Sequence, residues 1–320
     1  MSRCINHDLQ AEMQALLEKI TVEFAGLPDP TTLLPAAGRA LAEKNNQRWN
    51  INLPEMQNVR SMQIDANPSI GSQQTPLLVL EPINKKRGII LFVHGGGFAF
   101  CSPKTHERCA RVLAEKTSLT VVLPDYRLAP ENPFPAGLND VIGTMRALVD
   151  GRLEGLDDPV YIAGDSAGAN LALSAMLHEA ENSQLLPKGA LLFYGNYAMD
   201  FETPSYQAFI NGPGLTTDRM KRYWNWYASG QNIASNALAC PLHASDGTLK
   251  KMPPLYLTAA GIDPLLSDTI LLHERLSKIG RKDELVITEG VVHGFLQYTN
   301  ELTAAEAALE DAAKALSRMA

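Results

Sequence analysis

The sequence predicts an α/β protein in which a mostly parallel central sheet carries helices on both faces. Three observations predict it. From about Val59 to the C-terminus, short apolar β-like runs alternate with helix-like runs, the pattern of strands joined by crossover helices. The pentapeptide Gly164-Asp165-Ser166-Ala167-Gly168 stands between one such strand, Val160 to Ala163, and one such helix, Ala169 to Glu181. His94, Ser166, Asp263 and His293 all fall just past the carboxyl ends of predicted strands, where open α/β sheets place their sites.

A chain of 320 residues suffices for one large α/β domain or two small ones, and the alternation favours one domain with an appended cap. Hydrophobic content of 45%, charged content of 20% and a mean hydropathy of -0.10 describe an ordinary soluble globular protein. A formal charge of -7 and a pI near 5.5, with no Lys/Arg-rich run, give no footprint for nucleic acid or an anionic bilayer. No nucleic-acid partner and no stable membrane association are therefore expected. The four cysteines, Cys4, Cys101, Cys109 and Cys240, lack C-x-x-C spacing and a histidine placed as in a zinc site, so they predict free thiols and no metal. No run approaches the roughly 18 apolar residues of a membrane span. The opening MSRCINHDLQ lacks the apolar core of a signal peptide, so the cytoplasm is the expected location, or the periplasm if a leader has been trimmed.

Residues 1–55 predict helices: Leu9, Met13, Leu16, Leu17 and Ile20 recur at three- and four-residue intervals, and a second helical segment runs through Leu41 after Pro-rich punctuation. They form either a packing pair or a lid. The β-like runs Val59–Ile64, Thr75–Glu81 and Gly88–Val93 follow, then a helix over Thr105–Lys116 and a strand over Leu119–Leu123. Phe134-Pro135-Ala136 opens another helix, and after the pentapeptide come Ala190–Tyr194, Leu255–Ala259, the helix-like Asp268–Ile279 and Leu285–Glu289. The rhythm breaks between Ala198 and Cys240, where an aromatic-rich helical stretch holds Tyr223, Trp224, Trp226 and Tyr227. An insertion after a central strand is placed either to pack as core or to wall a pocket. The boundaries are thus a helical cap over 1–55 and the α/β domain over 56–320, with a cap or pocket insertion near 198–240.

The chemistry starts at Ser166. A serine hydroxyl is a poor nucleophile at neutral pH, so acyl transfer requires it on a tight turn, flanked by glycines, where a base can reach its proton. A chance G-x-S-x-G occurs in roughly one chain in ten of this length, but here a strand precedes it, a helix follows, and His94-Gly95-Gly96-Gly97 lies upstream. A strand that ends in a glycine triplet bares backbone N–H groups for a developing oxyanion, which assigns that hole to Gly95 and Gly96 with Ala167 from the turn. His293 sits on a loop after the last strand, beside a glycine, and is the expected base. The other histidines, His7, His106, His178, His243 and His273, lie in helix-like or unpatterned contexts and are expected to be structural. Asp263 follows Leu255–Ala259 and is the expected orienter of His293. Its competitor Asp268 looks like a helix N-cap.

These residues carry a resemblance. HGGGF at His94–Phe98, DYRLAPE at Asp125–Glu131, FPA at Phe134–Ala136, GDSAGANLA at Gly164–Ala172, DP at Asp263-Pro264 and HGF at His293–Phe295 resemble the hormone-sensitive-lipase-like branch of the α/β-hydrolases, bacterial carboxylesterases of the GDSAG subgroup. The resemblance runs from about Asn58 to the C-terminus. It implies the α/β-hydrolase fold with an N-terminal helical cap, no cofactor, and small-molecule esters of short to medium acyl chains as substrates; dimers among relatives make a homodimer possible. It also implies that Asp165 and Glu131 brace the elbow and the substrate site, while His94 belongs to the oxyanion turn and supports it. Two departures stand out: Ser267-Asp268 where members usually carry Asp-Glu, and Tyr194-Gly195-Asn196-Tyr197 where a proline-containing turn is common.

The expected function is a serine carboxylesterase, in which Ser166 attacks, His293 shuttles the proton and Asp263 orients the imidazole. An amidase or lipase would share the triad, although no long apolar surface helix points to a lipase. A non-catalytic small-molecule receptor, as in plant gibberellin receptors that resemble this branch, would lack the catalytic histidine. Here His293 is present.

Overall fold

The computed structural model describes residues 5–319; Cys4 lies outside them. Two helices come first, α1 (Ala11–Glu23) and α2 (Pro35–Asn46), followed by strands β1 (Asn58–Ile64), β2 (Thr75–Glu81) and β3 (Ile89–Val93). Helix and strand then alternate through α3 (Glu107–Thr117), β4 (Thr120–Pro124), α4 (Ala136–Val149), β5 (Val160–Asp165), α5 (Ala167–Glu181) and β6 (Ala190–Phe193). The insertion supplies α6 (Pro204–Ala208) and α7 (Thr217–Ala228), and the short α8 (Asp246–Lys250) leads to β7 (Leu255–Ile262). Helix α9 (Leu266–Lys278), β8 (Glu284–Val292) and α10 (Thr303–Met319) complete the chain.

The eight strands form one sheet in the order β1-β2-β4-β3-β5-β6-β7-β8, parallel from β4 to β8 and antiparallel where β2 meets β1 and β4. Strands β3 to β7 are buried along their whole length, which is why they appear in the sequence as continuous apolar runs rather than alternating ones. Side chains of β3 still divide by pleat. Ile89, Leu91 and Val93 pack with α4 and α5 on one face, and Ile90 and Phe92 pack with α3 and α10 on the other. The parallel register sets Val93 beside Gly164 and Asp165 beside Phe193, so three neighbouring strands end together at one rim.

The segment between α1 and α2 is tied to α7 of the insertion. Asp29 Oδ2 accepts from Arg219 Nε at 2.8 Å and Arg222 Nη2 at 3.2 Å, and Arg222 Nε donates to Thr31 Oγ1 at 3.0 Å. Burial pushes the Asp29 carboxyl up, yet Arg219 and the Thr31 N–H outweigh it and hold the group below its ordinary range. On α7, Met220, Trp224 and Tyr227 recur at helical spacing on the buried face, and the Tyr227 ring stacks on Phe98 with centroids 3.8 Å apart.

Several boundaries differ from the sequence expectation, and three of them bear on the site. Strand β7 continues to Ile262, so Asp263 follows it directly, and β8 continues past Glu289 to Val292 through a register shift against β7. Gly290, at φ +69°, accommodates that irregularity while Gln10 packs against it: the Gln10 N–H donates to Gly290 O at 2.9 Å, where a Cβ would lie 2.8 Å from the Gln10 nitrogen. Helix α9 starts at Leu266, which places Asp268 inside it rather than at its cap.

Candidate active site

Ser166 joins β5 to α5 with φ 54° and ψ -123°, a backbone conformation that a non-glycine residue adopts only under constraint. The constraint is close packing. A Cβ on Gly164 would lie 2.5 Å from Gly168 C and O, and one on Gly168 would lie 2.0 Å from Val93 O. Only glycines let the turn close against β3. The Ser166 N–H donates to Phe193 O at 2.9 Å, which fastens the turn to the end of β6.

The three expected partners stand in line. Ser166 Oγ lies 2.9 Å from His293 Nε2, and His293 Nδ1 lies 2.7 Å from Asp263 Oδ2. The carboxylate accepts the Nδ1 proton, which leaves Nε2 free to accept the serine proton. Asp263 is fully buried, and the Leu265 N–H donates to its second oxygen at 2.9 Å, so the carboxylate cannot rotate freely. His293 lies one residue past β8 and ahead of Gly294 at φ +77°, whose left-handed turn leads into the 3-10 turn Phe295–Tyr298.

The glycine turn corrects the expected oxyanion assignment. The Gly95 N–H donates to Asp165 Oδ1 at 2.8 Å and is committed there. It is not free for a substrate oxyanion. Among the described residues the N–H groups of Gly96 and Gly97 meet no acceptor, and Ala167, as the first residue of α5, has no intrahelical one. The triplet itself does not say which N–H faces inward, so the sequence alone does not single out Gly97. Both positions demand glycine: Gly96 at φ +116° and Gly97 at φ +59° would set a Cβ 2.2 Å from Phe100 O and from Tyr223 Cγ respectively.

Asp165 is the hub behind this turn. Its Oδ1 also faces His106 Nε2 at 3.1 Å, so His106, expected to be merely structural, is satisfied by the residue next to Ser166. Burial pushes the Asp165 carboxyl up, but His106 and the Gly95 N–H more than offset it and hold the group below its ordinary value. His94 is buried, stacks on Tyr126 at 4.3 Å and donates from Nδ1 to Gly95 O at 2.8 Å. Burial, with His106 nearby, pushes its pKa down to about 3, so it stays neutral and fixes the turn by hydrogen bonding.

Two further expectations are revised. Glu131 does not reach the elbow; its half-exposed carboxylate holds Arg39 of α2 at 2.6 Å, while Arg39 also donates to Ala99 O and Ala129 O at 2.7 Å each. It thus ties α2 to the segment after the glycine turn. Asp268 is no N-cap. Its Oδ2 accepts from the Tyr197 and Ala198 N–H groups at 2.7 and 3.2 Å, holding the start of the insertion. Ser267 replaces the usual acid with a hydroxyl exchange, Ser205 N to Ser267 Oγ at 3.2 Å and Ser267 N to Ser205 Oγ at 3.0 Å. Asn170, one turn into α5, donates to Asn196 O at 2.7 Å and Ala239 O at 2.9 Å and so clamps both ends of the insertion beside Ser166. Among the described residues no three His, Cys, Asp or Glu side chains are grouped to hold a metal ion.

Comparison with known proteins gives concordant matches. A family described as the alpha/beta hydrolase fold matches residues 90–297. A thermostable esterase from Pseudomonas putida is 27% identical, with 98% of each chain covered and a TM-score of 0.90. An ester hydrolase from the metagenome of Lake Arreo, solved with a bipyridine phosphonate derivative, is 28% identical over 97% of this chain and 98% of its own, at a TM-score of 0.89. A hyperthermophilic esterase from the archaeon Pyrobaculum calidifontis is 27% identical over 98% of this chain and 99% of its own, at a TM-score of 0.88.

Proposed function

Because the chain belongs to the alpha/beta hydrolase fold family, we propose that it is a serine carboxylesterase acting on short- to medium-chain acyl esters. The observation that carries this is the unbroken line from Ser166 Oγ through His293 to Asp263, with contacts of 2.9 and 2.7 Å. Ser166 attacks the ester carbonyl as its proton passes to His293 Nε2, and Asp263 stabilises the imidazolium. The oxyanion accepts from Gly96, Gly97 and Ala167, each donor contributing about 3 kcal/mol to the transition state. His293 returns the proton to the leaving alcohol. Water then enters by the same route in reverse and frees the acid.

The short to medium chain length is supported by closure of the rim. Ser166 is 8% exposed, the segment between α1 and α2 is held to α7 through Asp29, and α2 is held to the segment after the glycine turn through Arg39. In this proposal residues 1–55 and the 198–240 insertion together form the cap. Cytoplasmic residence belongs to the same proposal, supported by the thiols of Cys101, Cys109 and Cys240, which stay unpaired. A receptor that only binds would not need the His293 contacts to both neighbours.

Hydrolysis of 4-nitrophenyl esters from acetyl to palmitoyl, by the wild type and Ser166→Ala, tests the proposal. Rapid cleavage of short chains, slow cleavage of long ones and a dead variant support it; full activity in Ser166→Ala overturns it. A rate that stays flat from pH 5 to 8 would contradict the role of His293, whose imidazole must be neutral to accept the proton.

A further inference from the structure

Tyr194 is the first residue beyond β6, and its backbone stands at φ +38°, a region that bulky side chains avoid unless their surroundings hold them there. Those surroundings can be named. The Tyr194 N–H donates to Thr258 O at 2.7 Å, and the side chain is completely buried. Its ring meets the His293 imidazole in a T-shaped contact, centroids 5.0 Å apart, and tilts against Phe295 at 5.6 Å. Its hydroxyl donates to Asp165 Oδ2 at 3.4 Å. The other oxygen of that carboxylate holds the Gly95 N–H at 2.8 Å. One side chain therefore touches the base, the loop behind the base and the carboxylate that anchors the glycine turn.

We propose that Tyr194 is a positioning residue that keeps the His293 imidazole and, through Asp165, the oxyanion turn in a common register. The proposal rests on the acyl-transfer reading of the site. Tyr194 makes no contact with the ester in this scheme; it acts through His293 and Asp165. The two parts of the side chain have separable tasks. The ring fixes the imidazole plane and offers an aromatic neighbour to the imidazolium that forms during attack. The hydroxyl ties that ring to the carboxylate behind Gly95. A non-glycine backbone at positive φ costs stability, and here the Tyr194 N–H bond to Thr258 O and complete burial of the side chain hold it there, with the ring against His293.

The test compares wild type, Tyr194→Phe and Tyr194→Leu, each checked for folding by circular dichroism, using kcat and KM for 4-nitrophenyl acetate across pH. Labelling of Ser166 by a fluorophosphonate is followed in parallel. Tyr194→Phe keeps the ring, so it should lower kcat about three- to thirtyfold with KM little changed and the acid limb in place. Tyr194→Leu should lose more, because the imidazole loses the ring that fixes its plane. Labelling rates should fall in the same order. Two folded variants with wild-type kcat, pH profile and labelling rate overturn the proposal, and if Tyr194→Leu does not fold, Tyr194→Phe decides alone. Should the wild type label yet hydrolyse no ester, the esterase reading fails while the labelling ratio still decides the role of Tyr194. Absence of labelling in the wild type overturns both.

Discussion

Asparagine at position 263 should abolish turnover, whereas asparagine at position 268 should scarcely change it. The hydrogen bonds explain the difference. The Leu265 N–H donates to Asp263 Oδ1 at 2.9 Å, so in Asp263→Asn the amide oxygen occupies that place and the NH2 turns toward His293 Nδ1, where Oδ2 stood at 2.7 Å. Nδ1 must then accept, and the ring proton moves to Nε2. There, 2.9 Å from Ser166 Oγ, the nitrogen can no longer take the serine proton. The matching exchange in a serine protease lowers kcat about 10⁴-fold, about 5.4 kcal/mol of barrier. Asp268→Asn is different, because Oδ2 accepts from two backbone N–H groups at 2.7 and 3.2 Å and an amide oxygen can do the same. Burial, only partly offset by those N–H groups, pushes the Asp268 carboxyl up to about 8, so near neutral pH the neutral amide replaces a mostly neutral acid. A loss below about tenfold is expected. Burst titration with 4-nitrophenyl acetate gives kcat per competent site, and circular dichroism confirms folding. Asp263→Asn retaining a tenth of wild-type kcat, or Asp268→Asn losing as much as Asp263→Asn, refutes the assignment.

Other outcomes follow from the same contacts. Gly97→Ala, with a Cβ 2.2 Å from Tyr223 Cγ at φ +59°, should lower kcat by about 10² or more by displacing one oxyanion donor; steady-state kinetics showing unchanged kcat would count against Gly97 in the hole. Asp165 is held below the ordinary carboxylate range, so its contribution to stability is complete above the unfolded-state pKa and is lost as pH falls through the folded one. The Tm of Asp165→Asn should therefore be lower at pH 7 and fall less steeply than wild type on acidification below pH 4; parallel wild-type and variant curves would refute this. Asp29→Ala removes a clasp whose side chains are 24 to 36% exposed, worth about 1 kcal/mol after screening. Limited proteolysis between α1 and α2 should accelerate roughly fivefold, and an unchanged cleavage rate would mean that other contacts hold that segment.

The sheet and the convergence of Ser166, His293 and Asp263 are legible in the sequence because both follow from local pattern. A parallel strand covered on both faces must be a continuous apolar run, and a serine on a strand-to-helix turn must have glycines where backbones touch. The approach of Gly168 to Val93 O, where a Cβ would lie 2.0 Å away, is a tertiary fact that leaves a one-residue signature. Spacing likewise placed Asp263 and His293 beyond strands, and strand order in the sheet brought them to Ser166 from 97 and 127 positions away. The strand ends were less legible. Past Glu289, β8 continues through Gly290, which takes a positive φ beside Gln10, a partner 280 positions away.

What the pattern could not carry is which hydrogen bond each donor makes. Gly95, Gly96 and Gly97 are identical in sequence, and their division of labour is decided by Asp165, whose carboxylate captures the first N–H at 2.8 Å. A buried carboxylate needs donors to remain ionised, so Asp165 draws the nearest available N–H groups toward itself. His106 and Tyr194 answer the same need from α3's N-terminus and the end of β6, although neither position looks catalytic in the sequence. The residue beside the nucleophile thus selects, by its demand for hydrogen bonds, which glycines remain free for the substrate. An aspartate at position 165 and a free Gly97 N–H are in this sense a single feature of the site: removing the carboxylate releases Gly95 and leaves the turn without the contact that fixes where Gly96 and Gly97 point.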